Sequence, residues 1–100
     1  MALRRVEDFL GNPVEFTQGW NFSGVASRSD AEKNELARQA VEAKAKQWVT
    51  ERKAAGQNLD YDHVQLIDNR SQGSETDQTW DGVRTHKCWG LGVGYLFVNV

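Results

Sequence analysis

Lys87-Cys88-Trp89-Gly90-Leu91-Gly92-Val93-Gly94-Tyr95-Leu96-Phe97-Val98-Asn99-Val100 is the stretch that decides the fold of this chain. Side chains alternate across a β-strand, so Gly90, Gly92 and Gly94 fall on one face and Trp89, Leu91, Val93, Tyr95 and Phe97 on the other. The glycine face lets another element approach its backbone closely. The opposite face is a strip of large apolar groups that calls for a second layer, a ligand or another chain. The small partner for the glycine face lies upstream. Residues 30–55 are rich in Ala, Glu, Lys, Arg and Gln and contain neither Gly nor Pro. Ser29 and Glu32 have the spacing of a capping box, and Gly56 stands where a left-handed C-terminal cap would sit. The inward stripe of this helix, Ala37, Val41, Ala45 and Trp48 flanked by Leu36, Ala40 and Val49, is mostly small, so it can sit close to a sheet.

Two further segments read as strands. From Val14 to Ser27 the apolar residues Val14, Phe16, Trp20, Phe22 and Ala26 share one parity, giving a long or bulged strand with one buried face. Leu59 to Asp68 is the second, bounded by Asn69. Ser71 to Thr79 is polar and without apolar anchors, so it reads as a mobile loop. The last strand starts near Trp80 or Val83. At the N-terminus, Leu3, Val6, Phe9 and Leu10 share a helical face before the breaker Gly11-Asn12-Pro13, which predicts a short helix or a pinned extended arm for residues 1–13. The expected architecture is α+β: residues 1–100 form one domain, a small antiparallel β-sheet in βαββ order with one long helix packed across one face.

Bulk properties narrow the function. One hundred residues suffice for a single core. Twelve basic against fourteen acidic residues, dispersed along the chain, argue against a phosphate-backbone partner and so against nucleic acid. Cys88 is the one cysteine, which excludes an internal disulfide and fits a reducing compartment, read as the cytoplasm. No run approaches the roughly 18 apolar residues of a membrane span, and the N-terminus lacks the pattern of a cleaved leader, so the expectation is a soluble, unprocessed protein. His63, His86 and Cys88, with Asp60, Asp62 and Asp81, are the groups from which a metal or acid–base site could be drawn. The short ligand spacings of a structural zinc site are absent. His86 and Cys88, two apart on a strand, stand about 7 Å from each other, too far for direct proton transfer. No catalytic or metal-binding residue is assigned, and the chain reads as non-enzymatic. Gly90-Leu91-Gly92-Val93-Gly94 opens no strand-to-helix turn and has no Lys-Ser/Thr partner, so it is not a phosphate loop.

Leu59-Asp60-Tyr61, continuing through Val64-Gln65 after an alanine-bearing helix, together with Val93-Gly94-Tyr95, resembles the dodecin family of small βαββ proteins that assemble as hollow dodecamers and store flavin. The resemblance covers about a third of the chain and implies the topology and an oligomeric habit. The family's flavin-stacking tryptophan would fall on Tyr61, and its flavin-bonding glutamine near Cys88, so neither ligand-defining group is preserved. The resemblance and the aromatic content together leave Tyr61, His63 and Trp89 as residues for stacking on a flat heterocyclic ligand. Trp89, Leu91, Val93, Tyr95 and Phe97 are the expected interface of a homo-oligomer. The alternative is a module or small regulator that caps a partner protein with the same strip.

Overall fold

The computed structural model describes residues 2–100. Its chain order is β1 (Leu3–Arg5), β2 (Phe16–Gly24), α1 (Asp30–Ala54), β3 (Asp60–Gln78) and β4 (Arg84–Asn99), one short strand more than the expected βαββ order. The class is α+β, with one helix and a four-stranded antiparallel sheet. β4 is the centre of that sheet. β3 pairs along one of its edges from Asn99 to Arg84, and β2 and β1 share the other, β2 against residues 86–94 and β1 against residues 97–99.

The helix begins as its sequence dictates. Ser29 Oγ accepts from the Glu32 amide and the Glu32 carboxylate accepts from the Ser29 amide, closing the capping box. Gly56 takes the expected positive φ of 92° just past the last turn. Ala37, Val41, Ala45 and Val49 are the buried stripe, and the helix lies on the face of β4 that carries Cys88, Gly90, Gly92, Gly94, Leu96 and Val98. The approach is close enough to require glycine. A Cβ on Gly92 would stand 2.8 Å from the Ala37 carbonyl oxygen and 3.0 Å from Val41 Cγ2, and one on Gly94 would stand 2.8 Å from the Gln65 carbonyl oxygen. Phe16, Val64, Leu96 and Val98 close the larger core around Val41 and Ala45, while Trp20, Ala37 and Cys88 form the smaller one.

One expectation is corrected. Ser71–Gln78 is not a loop but the outer half of β3, paired with β4 as far as Gln78 opposite Arg84. The turn is confined to residues 79–83, where Thr79 N–H donates to the Val83 carbonyl. This segment alternates against no helix, so it carries no apolar period. Its order comes from the backbone ladder and from Trp89, whose indole lies against Gly73 where no Cβ would fit. Of the two forms expected for residues 1–13, a short helix or a pinned extended arm, the described residues 2–13 take the extended one. Among the described residues of that segment, Leu3–Arg5 form β1 on the stretch of β4 that β2 does not reach, and Asp8–Asn12 form a turn braced by the Asp8 carboxylate. Phe9, which shares the apparent helical face, is 95% exposed. Gln18-Gly19 does not break β2, which is one strand from Phe16 to Gly24.

Three bulges give β3 its shape, at Asp62, Ile67 and Ser71-Gln72. Each single-residue bulge moves the following side chains to the other face of the sheet. The third lies beside the first turns of α1, and there Ser71 adopts a positive φ of 54°. Past Asn69, which reaches back to the first turns of α1 through the Lys33 carbonyl and Asn34, the hairpin continues for about 30 Å as an arm. The molecule is consequently elongated, 56 × 24 × 19 Å, with a radius of gyration of 17.0 Å.

Candidate functional site

The face of the sheet opposite the helix carries the apolar strip of β4. Trp89, Leu91, Val93, Tyr95 and Phe97 follow one another along it, with Gly19 and Thr17 of β2 on one side and His63, Gln65, Asp68 and Arg70 of β3 on the other. Among the described residues no second layer covers it, but long polar side chains do in places. Arg70 takes the Asp68 carboxylate at 2.7 Å and reaches 3.9 Å from Glu15. Asp68 and Arg70 lie on one flank of β4 and Glu15 on the other, so this chain of charges crosses the strip, and Val93 beneath it has no exposed surface. The Arg5 guanidinium stands 5.3 Å from the centre of the Tyr95 ring. The His63 ring stacks on Phe97 at 4.6 Å with the planes 3° apart. Cations over aromatic faces are favourable and leave the charged heads in water. Trp89, at 41% exposure, is the most open ring of the strip.

The three residues expected to stack on a planar ligand do not meet within one chain. Tyr61 and His63 are two apart, which in a regular strand would put them on one face. The Asp62 bulge separates them: Tyr61 is registered with Val98 on the helix side and His63 with Phe97 on the open side. Tyr61 is a packing residue. Its hydroxyl donates to Glu42 at 2.9 Å and Lys46 covers its ring at 5.1 Å. Burial, with the Glu42 carboxylate beside it, pushes the phenol up to about 12. Glu42 in turn is held below the usual carboxylate range, first by Arg38 and then by Tyr61. Trp89, opposite Gly73, stands about 27 Å along β4 from Phe97 and His63.

The other polar groups are equally dispersed. His63 Nδ1 lies 2.6 Å from the Asp62 carboxylate, which this contact and a hydrogen bond from Asn99 hold below its ordinary range. His86 pairs with Thr76 and Cys88 with Ser74 on the helix side of the arm, about 35 Å along the sheet from His63. Cys88 is free and buried. Asp81 belongs to the turn, where Thr79 and the Val83 amide lower its pKa. Among the described residues no three His, Cys, Asp or Glu side chains converge as metal ligands, and no helix is long and apolar enough to cross a membrane.

Exposed groups at the end of the arm complete the surface. Trp80, in the turn that closes β3 and β4, is 99% exposed, with half-exposed Val83 beside it. Nothing in periodicity could single it out, because a ring at a loop tip and a ring in a core look alike in sequence. Arg5 and Arg70, which dress the apolar strip, were equally illegible, since their partners lie on other strands. Fold and surface together define a small α+β domain with one covered and one open sheet face and a projecting hairpin. No family model, curated protein or solved structure matches the chain.

Proposed function

We propose that the protein is a non-catalytic binding module that self-associates through the open face of its sheet and presents the assembled surface to another molecule. One observation carries this reading: the shape. A compact chain of this length has a radius of gyration near 13 Å, against the 17.0 Å found. Its mass of 11.3 kDa corresponds to about 5,700 Å² of surface in an ordinary monomer, against 6500 Å² here. The excess, about 800 Å², matches what one partner contributes to a standard interface. The open face supplies the apolar groups Trp89, Leu91, Tyr95 and Phe97, interrupted over Val93 by the Asp68–Arg70–Glu15 charges, a mixture compatible with a contact whose apolar fraction is that of ordinary surface.

With β1 set aside, β2, α1, β3 and β4 follow the βαββ order of the dodecins, and that likeness supports assembly more than it supports flavin. A flat heterocycle would stack on Trp89, and Tyr61 and His63 of the same chain are too far away to share it. The second reading, a module that caps a partner protein, is favoured by the free indole of Trp80 at the arm's tip. The buried free thiol of Cys88 fits a reducing compartment such as the cytoplasm.

The test is native mass spectrometry of the purified protein beside its Leu91→Lys variant. The wild type is expected as an assembly and the variant as a monomer, since a charge at the centre of the strip has no partner in a face-to-face contact. Leu91 is partly exposed in the single chain, whereas the wholly buried Val93 would report on folding instead. Equal masses for both proteins would refute the interface, and a retained small molecule or foreign chain would appear in the same spectrum.

A further inference from the structure

Where α1 begins and the arm leaves it, β2, the 25–29 loop and the hairpin line a half-open cavity of about 150 Å³ on the helix side of the sheet. Its lining is mixed: Phe22, Ala26 and Cys88 supply the apolar part, and the rest is polar. Ser74, Thr76, His86 and Cys88 point into it from the arm, because each is registered with its partner on the face that carries buried Cys88. Glu75 and Lys87 also border the cavity, but they alternate to the opposite face, where Lys87 pairs with Asp77 at 2.7 Å. From the loop and the first turns of the helix come Ser27, Arg28 and Lys33. Arg28 is fixed by stacking 3.9 Å over the Phe22 ring and by bonding Glu32 at 2.7 Å, and its shielded Nε has no acceptor. Lys33 makes no ion pair among the described residues. The cavity is thus bordered by two cations, of which Arg28 is already paired with Glu32, by an imidazole and by three hydroxyls, and Glu75 is the one carboxylate among its lining residues.

We infer that this cavity is a binding site for a small oxyanion, an inorganic phosphate or a short phosphomonoester or dicarboxylate. Three independent features select that class. The donors are charged or hydroxylic, and charge-assisted bonds to oxyanions are roughly twice as strong as neutral ones. The orphaned Arg28 N–H is a shielded donor of the sort that ordinarily has a partner. The volume, about 150 Å³ in a half-open pocket, admits a phosphate with a few further atoms. The site is separate from the open face of the sheet, so it stands or falls independently of assembly.

The experiment uses inorganic phosphate, with succinate as the carboxylate arm, titrated into the full chain at ionic strength held constant with chloride. The two histidine side chains are followed by NMR. His86 lies in the cavity and His63 lies on the open face stacked on Phe97, so one reports binding and the other serves as an internal control. Saturable shifts of the His86 ring with His63 unmoved are expected, and Lys33→Ala should weaken the affinity about tenfold while leaving the spectrum otherwise folded. Saturation by phosphate alone, succinate alone or both identifies the anion the site prefers. Shifts of both rings in parallel without saturation, no shift of either, or unchanged affinity in Lys33→Ala would overturn the assignment.

Discussion

Replacing Gly92 with alanine adds one methyl group at the closest contact between sheet and helix. That Cβ would lie 2.8 Å from the Ala37 carbonyl oxygen, 3.0 Å from Val41 Cγ2 and 3.2 Å from the Ala37 carbonyl carbon. Two of the three obstacles are helix backbone, and the third belongs to a fully buried side chain with no room to turn. The helix must therefore rise off β4, which loosens the core around Val41 and Ala45. Overpacking of this kind costs about 1–3 kcal/mol, and relief by backbone movement alone places Gly92→Ala at about 2 kcal/mol. For a domain of this size that corresponds to a fall of roughly 8–16 °C in Tm. Gly19→Ala is the matched control on the neighbouring strand: its Cβ would meet nothing nearer than the Gly90 carbonyl oxygen at 3.9 Å, and alanine costs less chain entropy than glycine. Urea unfolding of both variants at one protomer concentration measures the difference. A Gly92→Ala protein as stable as wild type, or a Gly19→Ala protein that loses more, would refute the claim that the glycine face exists to seat the helix.

Further outcomes follow from single contacts. Trp20 Nε1 donates to Asn69 Oδ1 at 2.7 Å in a nearly closed pocket, so Asn69→Ala leaves a buried N–H without an acceptor. The expected loss is about 1–3 kcal/mol in calorimetry, and Asn69→Asp, which keeps an acceptor oxygen, should lose less. Ser29→Ala removes the cap of α1 and should cost about 1 kcal/mol, seen as a lower urea midpoint with unchanged slope. Glu32 is held at about 2, below its ordinary 4.5, by Arg28 and the Ser29 cap. A carboxylate with a depressed folded pKa contributes stability that is present above its unfolded value and is lost as pH falls through the folded one. Acid unfolding of wild type should therefore steepen between about pH 4.5 and pH 2, and Glu32→Gln should flatten that part of the profile.

The helix, its cap and its small inward stripe were legible because each is a local pattern: Ser29 with Glu32, a run without glycine or proline, then Gly56. The glycine face of β4 was legible for the same reason, and its partner followed from matching small residues to small residues. The outer half of β3 was not legible. A strand shows period two only where one face is buried, and residues 71–78 extend past the helix, so ladder hydrogen bonds rather than apolar alternation define them. A bulge explains why Tyr61 and His63, grouped by their spacing in sequence, lie on opposite faces, since one inserted residue at Asp62 reverses the face without leaving a mark in composition. The N-terminal segment left two forms open because Leu3, Val6, Phe9 and Leu10 coincide with a helical period, while Leu3–Arg5 fill the edge of β4 that β2 leaves open. On the open face, the strip itself could be read, but its partial cover by Arg5, His63 and Arg70 depends on the order of strands in the sheet.

The central claim is that the elongated chain is one part of an assembly formed through the open face of β4. Native mass spectrometry at micromolar concentration tests it most directly. A discrete species at a multiple of 11.3 kDa, reduced to the single chain by Leu91→Lys, is the predicted result. A wild-type spectrum containing only the 11.3 kDa monomer would contradict it.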